Sequence, residues 1–301
     1  MYSGAVKTMK PEALRLFLEG MYDRFNRGEY VPPDPLEVVR EYGEARDREI
    51  AALVASALAV GRAGLIVGAV REVMNRMDGS PRAVLDGADR CGLENRLSGF
   101  RYRFFSGSDL AALLFGAGAL LREYGSLGAA FSAFFRDSMA HAAAEPVGKP
   151  ITVAPALGRF VREIRERAGG AGDFAPAPDA LAGETARGVP FAKNLLPAPS
   201  GGSACKRPFL MLRWLVRKDG VDPGGWDPAL APFLVQPMDT HMSWVARRLG
   251  FIGEGAPVNL ATALEVTGRF RAISPDDPLR YDFALTRPGI RPDLDRSDWF
   301  R

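Results

Sequence analysis

The spacing of apolar residues limits the fold more than anything else in this sequence, because it follows a helical period along most of the chain. In residues 47–59 a charged start gives way to side chains that are apolar nearly all round, as in a helix buried on every side. Residues 11–25 carry Leu14, Leu16, Phe17, Leu18 and Met21 at mostly helical intervals, and residues 63–77 carry Leu65, Ile66, Val70, Val73 and Met74. Residues 35–42 predict a short helix, and residues 108–124 a longer one opened by a serine suited to an N-cap. Residues 127–135 and 157–168 predict two more, and alternating strand patterns are scarce. The expected class is all-α.

Length and composition narrow the function classes. A chain of 301 residues, 47% hydrophobic and 25% charged, can bury a large core as one domain or two lobes. No apolar run reaches membrane-spanning length, and residues 1–7 lack a signal-peptide pattern, so the expectation is a cytoplasmic protein without a membrane partner. Two cysteines, Cys91 and Cys205, exclude a disulfide framework, and two histidines, His141 and His241, give poor support to a zinc site. No cofactor or metal is expected. Oligomeric state cannot be read from the sequence.

Irregular stretches divide the chain. Residues 169–190, rich in Gly, Ala and Pro, predict a loop or insertion, residues 140–152 a connector, and residues 219–226 a further loop. Between residues 206 and 248 seven Lys and Arg stand against four Asp, which predicts a locally basic surface fit for phosphate, or else an ordinary solvated face.

Two segments carry candidate chemistry. In Met238-Asp239-Thr240-His241 a carboxylate precedes an apolar, basic stretch with Met242, Val245, Ala246 and Leu249 on one side and Gly250 as a stop. Asp239 or Thr240 can accept hydrogen bonds from the free amides of that helix's first turn. Upstream, Ser203-Ala204-Cys205-Lys206-Arg207 precedes the apolar run Phe209-Leu210-Met211-Leu212. Pro208 suits a first helical turn, where its missing N–H is harmless. A lysine at one helix start and an aspartate at the next could face a common cleft.

These segments resemble those of the helix-hairpin-helix DNA glycosylases. Met238-Asp239-Thr240-His241, the apolar stretch and Arg247-Arg248-Leu249-Gly250 are similar to the family's catalytic-aspartate segment. Leu196-Pro197 through Lys206-Arg207 resembles a lengthened form of its hairpin, and residues 48–59 resemble its early helix ending in Leu-Ser-Ala-Gln. Tyr281 to Gly289 is weakly similar to a late helix, and the chain resembles more closely an uncharacterised bacterial branch without the iron–sulfur cluster, for which four cysteines would be needed.

The resemblance implies a two-lobed fold with an interlobe cleft. Residues 45–215 would form a central lobe ending in the hairpin, with residues 1–44 and 216–301 as the second lobe. It implies a base-excision glycosylase acting on damaged double-stranded DNA, with or without lyase activity; the alternative is a non-catalytic DNA-binding protein on the same fold. Asp239 would stabilise positive charge on the sugar and activate a nucleophile. Lys206 would attack C1′ as an amine, with Arg207 and partial burial disfavouring its charged form. Gly201, Gly202 and Ser203 would approach a phosphate. Arg207 and His241 would contact DNA, and Leu58, which replaces the family's glutamine, would fill the gap left by a flipped base. Each has a plainer reading: Asp239 as a helix cap, Lys206 as a phosphate contact, Leu58 as core. Phe100-Arg101-Tyr102-Arg103-Phe104-Phe105 interleaves aromatic and basic residues and suits either base stacking or a structural junction. The hairpin is longer than the family's, and so is the separation between Lys206 and Asp239.

Overall fold

The computed structural model describes residues 9–144, 150–169, 194–199, 202–291, 293–294 and 299. Thirteen helices account for most of the described residues. The first seven are α1 (Pro11–Phe25), α2 (Leu36–Arg40), α3 (Ala45–Leu58), α4 (Ala63–Asn75), α5 (Pro81–Gly87), α6 (Arg90–Arg96) and α7 (Gly107–Tyr124). They are followed by α8 (Leu127–Ala144), α9 (Ala154–Ala168), α10 (Lys206–Val216), α11 (Thr240–Arg248), α12 (Leu260–Ile273) and α13 (Asp282–Ile290). Among the described residues the one sheet is a two-stranded antiparallel hairpin, Arg101–Tyr102 against Phe105–Ser106. Among the described residues no helix is long and apolar enough to cross a membrane.

The centre is α3, whose residues from Glu49 to Leu58 are all buried. The helices α2, α4, α5, α8 and α10 pack around it. Next to this group, α7 runs against α6, α8 and α9. At Gly116 the α7 backbone lies so close to α9 that an added Cβ would sit 2.1 Å from the Ile164 carbonyl oxygen. The first and last described helices meet: α1 packs on α13, and α13 on α11. Buried apolar side chains form one contiguous cluster from Leu18 to Trp299.

Caps explain several boundaries. Ser106, not Ser108, opens α7: its hydroxyl accepts from the Asp109 amide while the Asp109 carboxylate accepts from the Ser106 amide, a reciprocal capping box. Asn259 caps α12 and Asp89 caps α6 in a simpler, one-sided way, through the amides of Thr262 and Gly92. The start of α8 is capped locally by the Ser126 hydroxyl, which accepts from the Ala129 amide at 2.9 Å, and also from outside its own segment. Glu49 of α3 accepts from the amides of Leu127 and Gly128, both at 3.0 Å, and from the Trp226 indole at 2.9 Å. The indole lies against Gly128, where an added Cβ would stand 2.6 Å from the ring.

Candidate functional site

Asp239 is the N-cap of α11, held in extended backbone before the first helical turn. One carboxylate oxygen accepts from the Met242 amide at 2.8 Å. The other lies 2.8 Å from the Lys206 ammonium nitrogen. Lys206 is the first residue of α10, so the pair joins the starts of two helices. The lysine side chain keeps 36% of its surface exposed and the aspartate 17%, so both groups open to solvent from one side. Burial pushes the Asp239 carboxyl up, but the Lys206 charge and hydrogen bond, the Met242 amide and the His241 charge together outweigh it. The result lies below the ordinary aspartate range, so Asp239 is an ionised acceptor at neutral pH.

The turn into α10 is unusual. Cys205 occupies the left-handed region, with φ of 44°, directly before Lys206. Its amide donates to the Ser203 hydroxyl at 3.3 Å. Gly202, at φ of 69°, accepts from the Leu260 amide at 3.1 Å, which ties this turn to the start of α12. Gly202 and Ser203 are exposed. Gly201 falls outside the described residues.

Other expected contacts stand elsewhere. Leu58 is fully buried; it belongs to the core around α3, and the expectation that it fills a DNA stack is corrected on that ground. Arg207 is half-buried and turned inward, and its guanidinium donates to the carbonyls of Ala57 at 2.5 Å, Leu195 at 3.2 Å, and Asn194. Burial lowers its pKa to about 10. It therefore latches α10 to the end of α3 in place of the expected DNA contact. His241, half-buried two residues beyond Asp239, lines a shallow hollow with Trp244, Thr286 and Trp299.

The expected basic surface is narrowed, because two of its seven cations are buried. Arg213 and Arg217 lie on the same α10 face as Lys206, two and three turns on, but they are buried. Arg213 pairs with Asp282 and, at 3.1 Å, with Asp222. Arg217 pairs with Asp222, with Asp219 at 2.8 Å, and with Asp277 at 3.0 Å. Burial alone would lower the Arg217 pKa, but these carboxylates hold it above the ordinary arginine value. In the hairpin after α6, Phe100 and Phe105 are core anchors while Phe104 is 57% exposed. The Tyr102 hydroxyl donates to the Val60 carbonyl at 2.8 Å and fixes the hairpin against the turn between α3 and α4.

Sequence reasoning missed Asp282, Gln236 and Glu49. Asp282 accepts from Arg213 and from the Gln236 side-chain amide. Among the described residues no group of three or more His, Cys, Asp or Glu is arranged to hold a metal ion.

A family profile described as "Protein of unknown function (DUF2400)" matches residues 34–291. The chain belongs to that family. The matched span takes in Lys206, Asp239 and Asp282, whereas α1 and Trp299 lie outside it. No curated protein and no solved structure matches the chain.

Proposed function

We propose that this chain is a base-excision DNA glycosylase with lyase chemistry, acting on a damaged base turned out of double-stranded DNA. The observation that carries the reading is the 2.8 Å approach of Lys206 to Asp239 between two helix starts. To attack, the Lys206 nitrogen must shed one proton, and the ionised Asp239 is placed to accept it. The nitrogen lone pair then forms a bond to C1′ as the bond from C1′ to the base breaks, and the base leaves with that electron pair and takes up a proton. As the base leaves, Asp239 passes to it the proton taken from Lys206, and the restored carboxylate, in a partly buried setting, stabilises the positive charge on the amine–sugar adduct. The packing of α1 on α13 and of α13 on α11 supports the two-lobed part of this reading. The matching resemblance of residues 48–59, 196–207 and 237–250 to the helix-hairpin-helix glycosylases supports the same reading.

Duplexes carrying uracil, oxidised or alkylated bases, or an abasic site, incubated with and without borohydride, test it. The expected result is base release from at least one lesion and a trapped adduct that maps to Lys206. Lys206→Gln should remove trapping and nicking completely, while base release survives through water activated by Asp239. Duplex affinity with no base release on any lesion would leave the non-catalytic DNA-binding reading.

A further inference from the structure

Lys206 and Asp239 are joined a second time, out of sight of solvent. Gln236, three residues before Asp239, is fully buried, and its side-chain amide donates to Asp282. Asp282 accepts from Arg213, which lies two turns along α10 from Lys206 and on the same face. The segment that carries the aspartate is thus tied to the helix that carries the lysine through Gln236, Asp282 and Arg213. The Gln236 side-chain oxygen is buried with no hydrogen-bond partner, so the bond to Asp282 is the hold on this side chain among the described residues. The Gln236 backbone amide donates to the Thr267 hydroxyl at 2.9 Å, and Val235, Pro237 and Met238 are buried. The step to Asp239 is therefore short and fixed at its root.

We propose that the buried Gln236–Asp282–Arg213 relay is a positioning device that holds Asp239 within hydrogen-bonding distance of Lys206. It deepens the glycosylase reading and rests on it for the catalytic consequence, but the geometric claim stands on the relay alone. None of the three touches the reacting atoms; they act through Asp239. The charged groups around Asp239 are Lys206, His241 and Asp282, and those around Asp282 are Arg213, Arg287, Asp222 and Asp239. Small displacements matter for such a pair, because an error of about 1 Å in a reacting geometry costs on the order of a hundredfold in rate.

Gln236→Leu cuts the relay while leaving the Arg213 ion pairs to Asp222 and Asp282 in place, and Asp282→Asn removes the central carboxylate. Two measurements on the full chain decide the matter. Carboxyl NMR of aspartate-labelled protein, with the Asp239 signal assigned from Asp239→Asn, reports the pH at which that carboxylate takes a proton. Single-turnover trapping on abasic duplex, with duplex Kd measured alongside, reports the reaction. In Gln236→Leu the Asp239 midpoint should rise toward the ordinary aspartate value, and the trapping rate should fall about ten- to a hundredfold with Kd unchanged. A folded Gln236→Leu protein with the wild-type midpoint and rate would overturn the proposal. A fall in rate matched by an equal loss of affinity and no change in midpoint would also overturn it, since that is general loosening. If Asp282→Asn does not fold, Gln236→Leu decides alone. If the wild type neither traps nor releases base, the glycosylase reading fails, and the Asp239 midpoint by itself upholds or overturns the relay.

Discussion

Among the carboxylates that sit at helix starts, Glu49 and Asp239 differ in what else they touch. Glu49 caps α8 with both oxygens engaged by neutral donors, the amides of Leu127 and Gly128 and the Trp226 indole, and its residue is 2% exposed. Burial pushes its carboxyl above the ordinary glutamate value, against those three hydrogen bonds. Asp239 caps α11 with one oxygen only; the other faces a lysine and solvent. Capping by a carboxylate is therefore not the informative property. A carboxylate whose donors are all fixed and neutral is a lock, and one with an oxygen left for a movable cation at an opening is available for chemistry.

Truncating the lock should have the largest effect on stability. Glu49→Ala leaves two buried amides and a buried indole N–H without acceptors, at a cost of about 3–5 kcal/mol. A lowered urea midpoint should show it, and any activity should survive in the fraction that folds. A Glu49→Ala protein as stable as wild type would mean that water replaces the carboxylate and that Glu49 is no lock.

Next in size is the effect on reaction. Asp239→Asn keeps the shape and the acceptor for the Met242 amide, so the fold and duplex binding should persist. Removing the charge should slow base release by about 10²–10³, read in single-turnover assays on a cleaved lesion. Full activity on every such lesion would reduce Asp239 to a cap like Glu49.

The subtlest contrast is in pH dependence, where the two groups have opposite signs. The Asp239 carboxyl is lower in the folded state, so its stabilisation is full above the ordinary aspartate value and is lost as pH falls through the folded value. The Glu49 carboxyl is higher in the folded state, so the folded form holds its proton more tightly and stability falls as pH rises from the ordinary glutamate value toward the raised one. Urea midpoints between pH 3 and pH 7 should show that Asp239→Asn flattens the acid side and Glu49→Gln the fall above it. The same change of slope in both variants would refute the distinction.

Much of the fold is legible in the sequence because it is local. The apolar spacing places α1 at residues 11–25 and puts α3, α4, α7 and α9 within a few residues of their ends. Boundaries set by side-chain caps are missed where two serines compete: Ser106 wins over Ser108 because Asp109 completes its box. The helices α5, α6 and α12 are also missed, although Ser80, Asp89 and Asn259 mark their starts. In the site, the juxtaposition of Lys206 and Asp239 follows from helix starts and is readable. The fate of Arg207, Arg213 and Arg217 is not, since charge counting ignores which carbonyl or carboxylate the fold brings to each. Their partners lie at residues 57, 194, 195, 219, 222, 277 and 282, and the Glu49–Trp226 bond spans 177 positions. Such long-range partners leave no periodic trace.

The ionic spine beneath Lys206 has a consequence for the order in which the chain is made. When synthesis has passed residue 240, both the lysine and the aspartate already exist. The counter-ions at Asp277 and Asp282 do not, and Arg287, which pairs with Asp34 at 3.1 Å, has yet to follow. Docking α10 before they arrive would bury guanidinium charge without its full complement, an arrangement that costs several kcal/mol per ion. The nascent chain thus carries Lys206 and Asp239 before it has made the carboxylates at residues 277 and 282 that neutralise the arginines beneath them.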